Sequence, residues 1–192
     1  MPSYKFFLII IMTISTSTSA WEEGFVYNDD VKIAYRDYGP IEGEPILLVQ
    51  GLGGQLINWP DHLIDFLIND GFRPIVFDNR DTGLSSRIES DQFNEGNRAK
   101  TINSTYIKYF LRLPIRPPYN LDDMSNDSIA ILDHLSIDKF HLLGMSMGGM
   151  IAQIIAANHP ERILTFTLIA SSTATPSPLN GPTRDVRKLL MK

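Results

Sequence analysis

The stretch Gly144-Met145-Ser146-Met147-Gly148-Gly149 constrains this chain more than any other. It follows a strand-like apolar run at 140–143 and opens a helix-like run at 150–157. Strand, tight turn and helix form the context in which a G-x-S-x-G match carries chemistry. A turn that tight forces its central residue into a strained backbone conformation, and only small neighbours such as Gly144 and Gly148 leave room for it. The pattern predicts Ser146 exposed above a sheet edge as a nucleophile. The bland alternative is a glycine-rich helix start with a bystander serine.

The rest of the chain supplies a sheet for that edge. Residues 31–35 alternate as a strand does, and the apolar runs 46–49, 74–77, 140–143 and 166–170 have the form of parallel strands covered on both faces. Helical spacing over 59–70 places Leu63, Phe66 and Leu67 on one face. Over 121–135 it groups Leu121, Met124, Ile131, Leu132 and Leu135, with Asn120 as N-cap. Strands alternating with helices predict parallel βαβ units, in which every strand ends at the same edge. The fold class is therefore α/β, a mostly parallel sheet with flanking helices. Residues 87–118 read as a surface excursion, 173–182 as a loop, and 183–191 as the start of one more helix.

At 192 residues and 43% hydrophobic content the chain suits one core. A net charge of −5 without a long like-charge run gives no reason to expect nucleic acid as a partner. The absence of cysteine excludes disulfides and thiolate metal sites. Lys5, an apolar run at 6–14 and the small-residue exit Ser17-Thr18-Ser19-Ala20 have the form of a secretory signal peptide. We expect residues 1–20 to be removed after Ala20, leaving 21–192 as a single periplasmic or secreted domain. An uncleaved anchor is the alternative, although the run is shorter than the ~20 residues a bilayer span needs.

Directly after the 46–49 run comes Gln50-Gly51-Leu52-Gly53-Gly54. Glycines let backbone N–H groups converge on a point, as an oxyanion hole requires, and the Leu52 and Met147 N–H groups are the expected donors. An ordinary strand-to-helix turn is the competing reading. Two sequons, at Asn103 and Asn126, carry little information because the pattern is common by chance.

These motifs recur in a familiar order. Gln50-Gly51-Leu52-Gly53-Gly54, Asn58-Trp59-Pro60, Phe77-Asp78-Asn79-Arg80-Asp81-Thr82-Gly83-Leu84-Ser85, the Ser146 turn with Ile151-Ala152-Gln153, and His159-Pro160-Glu161-Arg162 resemble the α/β-hydrolase family. More narrowly, they are similar to its aclacinomycin methylesterase-like branch. The resemblance implies an eight-stranded sheet, a lid after the sixth strand, and a Ser–Asp–His triad working without metal or cofactor. It also implies hydrolysis of a small-molecule carboxylic ester through an acyl-enzyme on Ser146. Many members have His-Gly where this chain has Gln50-Gly51, a change that a backbone donor tolerates.

The resemblance also implies a gap. The family's acid and histidine follow the serine and the lid, on segments this chain lacks, and the sheet is expected to end in an exposed edge strand. His141 lies five residues before Ser146 in a strand, ~16 Å away at ~3.3 Å per residue. His159 lies thirteen residues beyond it along a helix, nearly ~20 Å away, and His134 is equally remote. His62 is the histidine nearest the correct edge. Asp78, in the loop after a strand, reads as structural. Two further readings follow: a catalytically incompetent fragment, and a half completed by a separately encoded C-terminal chain.

Overall fold

The computed structural model describes residues 21–88, 108 and 117–173. The signal peptide, the Asn103 sequon and the helix expected over 183–191 lie outside them, as do most of the 87–118 excursion and nearly all of the loop from 173 to 182. The elements are β1 (Glu22–Asn28), β2 (Val31–Asp37), β3 (Glu44–Val49), α1 (Asp61–Asn69) and β4 (Phe72–Phe77), followed by α2 (Leu121–His134), β5 (Phe140–Met145), α3 (Met147–Asn158) and β6 (Ile163–Ile169). The strands form one sheet in the order β1-β2-β4-β3-β5-β6.

The fold class expected from sequence holds, with one correction. β3, β4, β5 and β6 pair in parallel, but β1 and β2 form an antiparallel hairpin, and β2 meets β4 antiparallel. β1 gave no strand signal because its outward side chains, Phe25 and Tyr27, are exposed and apolar, which blurs the alternation that marks a half-buried strand. Asp29, at φ 51°, supplies the left-handed residue of the hairpin turn.

Period-two geometry divides the parallel strands between two cores. Leu47 and Val49 of β3, Ile75 and Phe77 of β4, and Phe140 and Leu142 of β5 face one layer, where α2 contributes Met124, Ile131 and Leu132 and α3 contributes Ile151 and Ile155. Ile46, Leu48, Val76 and Leu143 face the other, under α1 and Trp59. On α1 the buried stripe is Ile64 and Leu67, and Phe66 is 62% exposed. Both stripes fit a 3.6-residue period, so periodicity alone could not choose between them.

Asn120 caps α2 as expected, accepting from the Asp122 and Asp123 N–H groups, while Asp123 reaches back to the Asn120 N–H. Among the described residues β6 is an edge strand, and its Leu164, Phe166, Leu168 and Ile169 side chains are exposed. Among the described residues no helix is long and apolar enough to cross a membrane.

Candidate active site

β5 runs directly into α3, and the single residue between them is Ser146, at φ 54° and ψ −121°. A non-glycine residue held there is strained by on the order of 1–3 kcal/mol and persists only where its surroundings fix it. Here they do. The Ser146 N–H donates to the Ile169 carbonyl (2.9 Å), and the Ser146 carbonyl accepts from the Gly149 N–H (3.0 Å) and from the Ser171 hydroxyl (2.8 Å). Gln153 ties the same turn to the chain after β6, donating to the Gly149 and Ser172 carbonyls. The backbone of Ser146 is fully engaged, whereas its side chain is exposed and its hydroxyl has no hydrogen-bond partner among the described residues.

The first turn of α3 lies against the end of β3. A Cβ on Gly148 would overlap the Val49 carbonyl oxygen, so no other residue fits there. A Cβ on Gly51 would lie 3.1 Å from the Ser146 Cβ and 3.6 Å from its hydroxyl oxygen. The turn after β3 and the turn after β5 are thus in contact, as two neighbouring parallel strands ending at one edge require. Leu52 follows in that turn, its side chain 84% exposed. Met147 is the first residue of α3, so its N–H has no intrahelical acceptor. Neither N–H donates to any group among the described residues. Gln50 is buried and folds its side-chain oxygen back to the Gly51 N–H (3.2 Å), so it stiffens this turn.

The loop after β4 completes this edge. Asp78 is buried and accepts from the Leu56 N–H (2.7 Å) and the Leu84 N–H (2.9 Å), which bears out its structural reading. Arg80 forms a bidentate pair with Asp127 of α2, Nε to Oδ2 and Nη2 to Oδ1, both 2.7 Å, and Nη2 also reaches the Asp123 carbonyl at 3.3 Å. Asn28 donates to the same carboxylate (2.8 Å), which fastens the β1–β2 hairpin to α2. Sequence reasoning met Asp127 only as part of a sequon and missed this pair. Its one signal was an acid and a base in elements that the fold brings together.

A cavity of about 330 Å³ opens beside these groups, with Leu52, Met147, Leu121 and Met124 as its apolar wall and Arg80, Asp81 and Tyr119 on the polar side. Burial first, and then the neighbouring Asp81, push the Tyr119 phenol up to about 12.

None of the four histidines meets Ser146. His62 is exposed in the first turn of α1. His134 ends α2 edge-on to Tyr35, with ring centroids 5.8 Å apart. His159 caps the C-terminus of α3. His141 sits at the start of β5, at the opposite edge of the sheet, with Nδ1 2.7 Å from the Thr165 hydroxyl and Nε2 2.9 Å from the Glu44 carboxylate. Among the described residues no cluster of histidine, aspartate or glutamate side chains could hold a metal ion.

Comparison with known proteins agrees with this architecture. The family model for the α/β hydrolase fold matches residues 44–192. Rhodomycin D methylesterase from Streptomyces peucetius is 31% identical over 144 residues, 75% of this chain and 40% of that protein. 3-Oxoadipate enol-lactonase 2 from Acinetobacter baylyi is 29% identical over 76% of this chain and 43% of that protein. The crystal structure of a hydrolase from Pseudomonas aeruginosa superposes with a TM-score of 0.60 at 27% identity, covering 81% of this chain and 48% of the other. The chain thus spans about two-fifths of the length of the curated relatives it matches.

Proposed function

Because the chain belongs to the α/β-hydrolase fold family, we propose that it carries the nucleophile and oxyanion-binding half of a serine esterase, with Ser146 at a nucleophile elbow. The observation that carries this reading is the free Ser146 hydroxyl, held at φ 54° beside the turn that contains Leu52. Its hydroxyl oxygen attacks the ester carbonyl, and the resulting oxyanion accepts from the Leu52 and Met147 N–H groups. Collapse expels the alcohol, which takes the proton from the general base. Water then attacks acyl-Ser146 and releases the acid. A methylesterase and an enol-lactonase among the similar proteins support a small-molecule ester as the substrate.

The base is the open element. The sequence holds four histidines, and none of them is placed to receive the Ser146 proton. In this reading the histidine and its aspartate come from a complementing C-terminal chain, which also covers the exposed side chains of β6. The placement of the histidines favours a second reading, in which this chain alone has a serine hydrolase's binding geometry without its turnover. For location we propose the periplasm or the exterior, reached through removal of residues 1–20.

Treatment of the purified chain with a fluorophosphonate, read by intact mass and peptide mapping with Ser146→Ala as control, tests this. Stoichiometric adduct at Ser146 is the expected result for an activated nucleophile. A folded chain that takes no label sinks autonomous activity; label that then appears only with the complementing C-terminal chain added supports the first reading, and no label even then supports the second.

A further inference from the structure

Arg80 is 92% buried, counting its 8% side-chain exposure, yet it lines the cavity beside Leu52 and Met147. Its guanidinium is held rigidly. Nε and Nη2 are engaged by Asp127 and the Asp123 carbonyl, and the ring of Tyr119 lies 5.1 Å from the guanidinium carbon. Nη1 donates to nothing among the described residues. The sealed side-chain atoms there that lack a partner are Trp59 Nε1, Asn79 Oδ1 and Ser125 Oγ. Arg80 Nη1 is not one of them, so it is not sealed, and Arg80 is among the residues that line the cavity.

The surroundings set what Nη1 can accept as a partner. Asp127 neutralises the guanidinium, and Asp81 adds a further carboxylate to the polar wall, already accepting from the Ile88 N–H (2.6 Å). A carboxylate entering the cavity would face both acids, whereas a neutral carbonyl oxygen would not. The remaining wall, Leu52, Leu121, Met124 and Met147, suits a short alkyl chain, and about 330 Å³ is at the small end of ligand cavities.

We propose that this cavity receives the acyl part of the substrate, and that Arg80 Nη1 selects esters whose acyl chain bears a second, uncharged carbonyl oxygen over plain alkanoates. The inference rests on the esterase reading for the words acyl and ester, but not for binding. A hydrogen bond from a charged donor to a neutral acceptor in such a site is worth roughly tenfold or more in affinity.

The test is an NMR titration of the ¹⁵N-labelled chain with methyl 4-oxopentanoate and with methyl pentanoate, which differ by one carbonyl. We expect the oxo ester to bind roughly tenfold more tightly and to displace the Arg80 Nε–H resonance, and Arg80→Lys to bring the ratio of the two affinities close to one. Equal affinities for the wild-type chain, or a preference that survives Arg80→Lys, overturns the inference. Should Arg80→Lys fail to fold, the wild-type ratio and the Arg80 resonance decide alone. Failure of the esterase reading looks different: the oxo ester binds preferentially while Ser146 takes no fluorophosphonate even with the complementing C-terminal chain present.

Discussion

Two arginine–aspartate pairs are buried in this molecule, and they are chemically alike. Arg73 of β4 holds Asp37 at the end of β2, Nε to Oδ1 at 3.0 Å and Nη2 to Oδ2 at 2.5 Å. Arg80 holds Asp127 with two contacts of 2.7 Å. All four side chains are more than nine-tenths buried. In both arginines Nη1 lacks a partner among the described residues, but of the two only Arg80 lines the cavity beside Leu52 and Met147. Arg73 joins two paired strands, whereas Arg80 joins a loop to a helix over the edge where the strands end. The same chemistry is structural in one place and available to a ligand in the other. What differs is the cavity that Arg80 lines.

The sharpest way to break this comparison is to remove the acids. Asp37→Ala and Asp127→Ala should each lower the unfolding free energy by about 3–5 kcal/mol in urea titrations, since each leaves a buried guanidinium unpaired. A loss below about 1 kcal/mol for Asp127→Ala alone would mean that Arg80 is solvated through the cavity and was never buried in the same sense. Asp78→Ala strands the Leu56 and Leu84 N–H groups and should cost about 3 kcal/mol in the same titration, loosening the loop that carries Arg80. Asn120→Ala removes the cap of α2, the helix that carries Asp127, and should cost about 1 kcal/mol by thermal or urea unfolding.

The smallest effect is spectroscopic. In alkaline titration at 295 nm, Tyr119 should ionise late, near pH 12, and Tyr119→Phe should delete that step. Because its folded value lies above the usual 10, any stability it contributes is fully present below pH 10 and fades as pH rises through about 12. Tyr35, held up chiefly by burial, also lags the exposed tyrosines, so the variant is needed to assign the step. A Tyr119 that titrates with the exposed group would mean that its phenol is not buried in solution.

Much of the framework was legible in the sequence because it is written in local pattern. The apolar runs at 46–49, 74–77 and 140–143 became β3, β4 and β5, and Asn120 became a cap, since strand period and cap chemistry depend on near neighbours in the chain. The Gly144-to-Gly149 stretch was legible for the same reason: backbone strain at Ser146 needs small residues within two positions. The antiparallel β1–β2 hairpin, the exposure of Phe66 and the burial of Asp127 were not legible. Each depends on which distant surface covers the residue, and the sequence shows the residue without its cover.

The sequence by itself determined a mostly parallel α/β sheet, a strained serine between strand and helix, and a glycine-rich turn able to lie beside it. All three follow from residue type at fixed spacing. Only the tertiary structure decided that Gly51 touches Ser146, that His141 is engaged by Glu44 and Thr165 at the far edge, and that Arg80 lines a cavity while paired with Asp127. Those facts join residues 24 to 97 positions apart in the sequence. Their positions are fixed by the packing of whole strands and helices, which no local spacing encodes.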